Sequence, residues 1–158
     1  VQSSTKGLDE DTKATQDRPV VLVIDDDADV HELLSRDLQT IGFELHHARS
    51  AEQGLQKMRQ SQPAAVVLDV HLPGKTGMEL LHDIRTSADL SDVPVIIHTV
   101  DSERAKFIQA GANAYLCKPA SREDVVAEVA RHARHDQRPA SRTQNQPKTR
   151  SNTDRASA

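Results

Sequence analysis

Between Pro19 and Val129 the chain alternates short apolar runs with longer segments whose apolar residues recur every three or four positions. The runs 20–24 (Val-Val-Leu-Val-Ile) and 65–69 (Ala-Val-Val-Leu-Asp) are largely β-branched and bounded by turn residues, the pattern of strands covered on both faces. From Ala28 to Ile41, Val30, Leu33, Leu34, Leu38 and Ile41 form one helical stripe, and Gly42 stops it. Residues 43–48 alternate weakly and predict a short second strand nearer an edge. Ser50 with Gln53 predicts a capping box, ahead of a helix burying Ala51, Leu55 and Met58. A third helix starts near Gly77 with Leu80, Leu81 and Ile84 inward. The run 93–99 is a fourth strand, its Pro94 near the start, where a missing donor is tolerated. A short helix from Ser102 to Ala110 ends at Gly111, and residues 114–117 form a fifth strand. The last helix starts at Ser121, with Asp124 three residues on, and buries Val125, Val126 and Val129. Strand and helix alternate with connections short enough to demand right-handed crossovers between parallel neighbours. The pattern predicts a doubly wound α/β sheet.

Composition sets the limits of that unit. Only 36% of the 158 residues are hydrophobic, and they are concentrated in the middle. Residues 1–18 hold only Val1 and Leu8 as large aliphatics, and residues 134–158 hold none, so both ends are expected to be disordered tails. The first tail carries a net −1 and the last, basic one +4; with −4 overall, residues 19–133 carry −7. An acidic folded unit argues against a nucleic-acid surface there. The basic tail lacks aromatics and periodicity, as a solvated linker does. Cys117 is the single cysteine, which excludes an internal disulfide and fits a reducing compartment. No signal-peptide pattern and no apolar run of membrane-spanning length is visible, so a cytoplasmic location is expected. The chain begins with Val rather than Met, the expectation for a fragment or processed product.

Asp69 closes a buried strand and opens the turn Val70-His71-Leu72-Pro73-Gly74. The carboxyl ends of strands are where open parallel α/β sheets place their ligands. The first strand likewise ends in Asp25-Asp26-Asp27. If the two ends converge, several carboxylates share one small volume, which is costly unless a hard divalent cation joins them. Asp27 is expected as a turn or helix-start residue instead. His46, His47, His132 and His135 have no carboxylate or thiol partners at ligand spacing and are expected to be solvated.

In combination these stretches resemble the receiver domains of two-component response regulators, over about Pro19 to Ala133. V-L-V-I-D-D-D at 21–27 is similar to the family's first strand and acidic pair, and V-V-L-D-V-H-L-P-G-K-T-G at 66–77 to its phosphoacceptor strand and turn. P-V-I-I-H-T at 94–99 ends in the family's hydroxyl residue, and G-A-N-A-Y-L-C-K-P at 111–119 carries its aromatic switch residue and lysine. The resemblance implies a flavodoxin-like, five-stranded parallel sheet of order 2-1-3-4-5. It implies Asp69 as phosphoacceptor, with Mg2+ held by Asp26, Asp69 and the backbone carbonyl of His71, and Asp25 acting largely through water. Lys118 would supply a mobile positive charge and Thr99 a hydroxyl donor, with Thr99 and Tyr115 as the switch pair. The Lys118–Pro119 bond would be cis, as is typical of the family. His71, Val100 and Asp101 take the positions that tune phosphoryl lifetime, and Val100, larger than the usual residue, is expected to narrow access. Thr76 stands where Asp is common, and the connection from Thr99 to Gly111 is shorter than in many receivers.

The implied function is a phosphorelay switch that catalyses its own phosphorylation and dephosphorylation without turning over an external substrate. Its phosphodonor would be a histidine kinase or histidine phosphotransfer protein. A homodimer or effector contact is expected through Ser102 to Ala110, Tyr115 and Ser121 to Arg131. A haloacid-dehalogenase-like phosphatase also uses a strand-end Asp, a Thr, a Lys and Mg2+, but needs an Asp where His71 stands. A non-phosphorylated interaction module is the third reading, opposed by the intact set of Asp25, Asp26, Asp69, Thr99 and Lys118. A receiver belonging to a larger protein such as a hybrid kinase is expected, with a stand-alone regulator as the alternative.

Overall fold

The computed structural model describes residues 18–133. Of the tails expected over residues 1–18 and 134–158, all but Arg18, which is exposed, lie outside the described residues, as does His135. Five strands, β1 (Val20–Ile24), β2 (Glu44–Ala48), β3 (Ala65–Leu68), β4 (Val95–Thr99) and β5 (Ala114–Cys117), form one parallel sheet of order β2-β1-β3-β4-β5. Helices α1 (Ala28–Thr40), α2 (Ala51–Ser61), α3 (Gly77–Thr86), α4 (Arg104–Gln109) and α5 (Arg122–His132) connect and follow the strands.

Each strand supplies residues to two cores in alternation. Val21, Val23, Ala65, Val67 and Ile96 face one side, with Leu34 and Leu38 of α1 and Val125 and Val129 of α5. Leu22, Ile24, Val66, Leu68, Val95 and Ile97 face the other, with Ala51 and Met58 of α2, Leu80, Leu81 and Ile84 of α3, and Phe107 of α4. Burial on both faces is why the three central strands read as continuous apolar runs.

Several expected details differ. Leu33 is 52% exposed and Ile41 43%, so the α1 stripe is narrower than its apolar residues suggest. Val126 and Leu55 are only partly buried. The α4 helix is shorter than the segment 102–110. At Ser50 half of the capping box forms: its side chain accepts the Gln53 N–H, but Gln53 turns to the N–H of Arg49 instead of that of Ser50. The full box stands one helix later, between Thr76 and Glu79.

That box starts α3 directly under the end of β3. Gly77 donates its N–H to the Val70 carbonyl at 2.9 Å. A Cβ on Gly77 would lie 2.3 Å from the Asp69 carbonyl oxygen, so only glycine allows this approach. The helix start thus fixes the loop that leaves Asp69.

Candidate metal centre

The sheet order places β1 between β2 and β3, and the Ile24–Leu68 register brings the next residue of each strand side by side. The Asp69 N–H donates to the Ile24 carbonyl at 2.9 Å, continuing the ladder one step past the strand. Asp25 and Asp69 are both buried, and Asp26 is exposed. One carboxylate oxygen from each of these three lies within 4.8 Å of the others. Asp27 stays outside this cluster: it is the N-cap of α1 and accepts the Asp29 N–H at 2.9 Å.

The other side of the site comes from β4 and β5. Thr99 pairs with Cys117 in register, and Lys118 follows with its N–H on the Thr99 carbonyl at 2.7 Å. The Lys118–Pro119 bond is cis. Lys118 donates to Asp25 Oδ2 at 2.7 Å and to Asp69 Oδ2 at 3.1 Å. Burial works against its ammonium, but the Asp25 hydrogen bond and the charges of Asp69 and Asp25 outweigh it and raise the pKa above the usual lysine value. Asp69 Oδ1 accepts the His71 N–H at 3.1 Å, while the His71 side chain is exposed. Thr99 is fully buried.

One ammonium against three carboxylates leaves the cluster short of positive charge. Its donors are hard oxygens, two buried and one facing water, which fit a hard cation that keeps part of its hydration shell. The residues present therefore suit Mg2+.

Around this centre, Tyr115 is half-buried, its ring stacked on Phe107 at 5.8 Å and its hydroxyl donating to the Asp101 carbonyl. The Asp101 N–H donates to Thr99 Oγ1 at 3.4 Å, and its Oδ1 accepts the Glu103 N–H. Val100 is 64% exposed.

Of the histidines expected to be solvated, His47 is exposed, while His46 and His132 are half-exposed and paired with Glu44 and Glu128. Two others are buried beside the site and were not singled out from the sequence. His31 donates to the Asp25 carbonyl, and His98 sits one residue before Thr99. Burial first, then the charge of Lys118, lowers the His98 pKa, with Asp25 and Asp69 opposing. The available signal for His98 was a polar residue following the apolar run 95–97 of β4.

A family model described as the response regulator receiver domain matches residues 21–130. Response regulator MprA of Mycolicibacterium vanbaalenii is 36% identical over 112 residues, which is 69% of this chain and 48% of the relative. The chain thus spans about half the length of the curated relatives it matches. A crystal structure from Chloroflexus aurantiacus, described as that of a response regulator, matches with a TM-score of 0.68 at 33% identity, over 72% of this chain and 96% of that one. Response regulator protein TrrA of Thermotoga maritima, solved in complex with Mg2+-BeF, matches with a TM-score of 0.64 at 29% identity, over 72% and 97% of the two chains.

Proposed function

The chain belongs to the response regulator receiver domain family, and on that premise we propose that it is a phosphoacceptor switch whose Asp69 takes a phosphoryl group from a phosphohistidine. The observation that carries this reading is the buried Asp69 carboxylate at the end of β3, 3.1 Å from Lys118 and clustered with Asp25 and Asp26. A histidine kinase or histidine phosphotransfer protein is the donor. The folded unit, taken as residues 19–133, works in the cytoplasm; among the described residues no helix is long and apolar enough to cross a membrane.

In the transfer, an Asp69 carboxylate oxygen bonds to phosphorus as the phosphorus–nitrogen bond breaks and its electron pair leaves on the donor imidazole. The chain's own part is positioning and charge. Lys118, already against Asp69, moves its ammonium onto the incoming phosphoryl oxygens. Thr99 gives its hydroxyl hydrogen to another of them. Asp26, Asp69 and the His71 carbonyl would hold Mg2+, with Asp25 acting through water, and the ion would supply the remaining positive charge. His71 and Asp101 flank the phosphoryl group and, with Val100 at the exposed side, set how fast water removes it. The face of α4, Tyr115 and α5 passes the change to an effector or a second copy, and the acidic folded unit leaves nucleic acid out of its direct contacts.

The test is intact-mass spectrometry after incubation with a small acyl phosphate. One phosphoryl group is expected in the presence of Mg2+ and none with EDTA or in Asp69→Ala. Labelling that survives either control rules the assignment out.

A further inference from the structure

His31 lies on α1, where the other polar side chains are exposed or half-buried, yet it is only 5% exposed. Its Nε2 stands 2.7 Å from the backbone oxygen of Asp25. A carbonyl oxygen only accepts, so Nε2 carries a hydrogen and donates it. The Nδ1 atom is buried with no hydrogen-bond partner among the described residues. A buried ring nitrogen without a partner costs free energy, so the ring is held here for what its other nitrogen does.

What Nε2 holds is the peptide between Asp25 and Asp26. The Asp25 N–H is fixed on the Ala48 carbonyl at 3.0 Å, Oδ1 on the Asp27 N–H at 2.9 Å, and Oδ2 on Lys118. The Asp25 carbonyl belongs to the peptide plane that launches Asp26, and His31 is its partner. The ring of His47 packs edge-on against His31 at 4.7 Å, bracing it from the β2 side. Without the donor, a buried carbonyl must find water, and it does so by turning its peptide plane. Asp26 turns with it.

The geometry points to His31 as a positioning residue for the metal centre: its Nε2–H fixes the Asp25–Asp26 peptide and so the spacing of the carboxylates offered to a divalent cation. The inference rests on the reading of the acidic cluster as a Mg2+ site. It extends to α1 the support that metal ligands ordinarily draw from their hydrogen-bonded neighbours.

The test is Mg2+ titration of the full chain, followed by backbone amide NMR, in wild type, His31→Gln and His31→Leu. Gln places an amide N–H donor at the reach of Nε2, whereas Leu fills the space without a donor. His31→Leu is expected to weaken Mg2+ binding about tenfold, and His31→Gln to stay within about threefold of wild type. If His31→Leu fails to fold, His31→Asn, polar but one methylene shorter than Gln, replaces it with the same expectation. Wild-type affinity in His31→Leu, or equal loss in His31→Gln, overturns the inference and leaves the Mg2+ site standing. A wild type that binds no Mg2+ overturns the site reading and this inference with it. In metal-free protein, ring 15N shifts should show His31 with a hydrogen on Nε2; an Nε2 without a hydrogen contradicts the assignment independently of any metal.

Discussion

Thr99 and Tyr115 hold the two ends of one residue. The Thr99 hydroxyl oxygen accepts the Asp101 N–H at 3.4 Å, and the Tyr115 hydroxyl donates to the Asp101 carbonyl. The first contact is long, so the Asp101 backbone is only weakly held from the threonine side. A phosphoryl oxygen on Asp69 that draws the Thr99 hydroxyl inward would loosen that weak grip and leave Tyr115 holding a freed segment.

That relationship predicts how charge at Asp69 reaches α4 and β5. With a beryllofluoride mimic of the acyl phosphate, amide shifts should extend from the loops around Asp69 to Asp101, Phe107 and Tyr115. Thr99→Ala should confine them to the Asp69 loops, and Tyr115→Phe should keep the Asp101 change but lose the α4 part. Two populated states a few kcal/mol apart suffice for such a response. Shifts that spread equally well in Thr99→Ala contradict the coupling.

Lys118 supplies the neutralising charge between Asp25 and Asp69 in the metal-free fold. Lys118→Met should leave two buried carboxylates facing each other and destabilise the metal-free protein by about 3 kcal/mol, on the order of 10 °C in Tm. Mg2+ should then raise the Tm more in this variant than in wild type, because it replaces a lost charge as well as binding. Asp26→Asn should show the reverse, with most of the Mg2+ response gone. Thermal unfolding with and without Mg2+ checks all three, and an unchanged Mg2+ response in Asp26→Asn places the metal elsewhere.

The strands and their acidic ends were legible because a buried parallel strand has few alternatives: short, β-branched and bounded by turns. Asp25, Asp26 and Asp69 could then be placed from strand ends alone, since adjacent parallel strands deliver their ends to one edge. Packing against the sheet was less legible. Leu33 and Ile41 fit the helical stripe of α1, but a helix on a sheet covers only part of its circumference, and both fall outside it. His31 and His98 went unnoticed for the opposite reason. A polar residue in an apolar pattern reads as a solvent position until its partners are known, and those of His31 are a backbone carbonyl and a ring on β2.

His98 should make stability depend on pH. In the fold its pKa lies below the ordinary 6.5, because burial and Lys118 disfavour the charged ring. As pH falls through about 6.5, the unfolded chain takes up a proton there that the folded chain refuses. Unfolding is favoured by that uptake, so stability is full above this pH and declines below it, by up to about 1.4 kcal/mol per pH unit until the lowered native value is reached. His98→Leu should flatten the decline. Urea midpoints at pH 7.5, 6.5 and 5.5 measure it, and parallel curves for variant and wild type would show that folding does not lower the His98 pKa.

Phosphorylation is expected on Asp69. Borohydride reduces an aspartyl phosphate to homoserine and leaves free carboxylates unchanged, so treating the Mg2+- and acyl-phosphate-loaded protein and sequencing its peptides by mass spectrometry reads the position directly. Homoserine is expected at position 69 alone, and at no position when Mg2+ is withheld. Homoserine at position 25 or 26, or its absence from a fully loaded protein, would contradict the assignment.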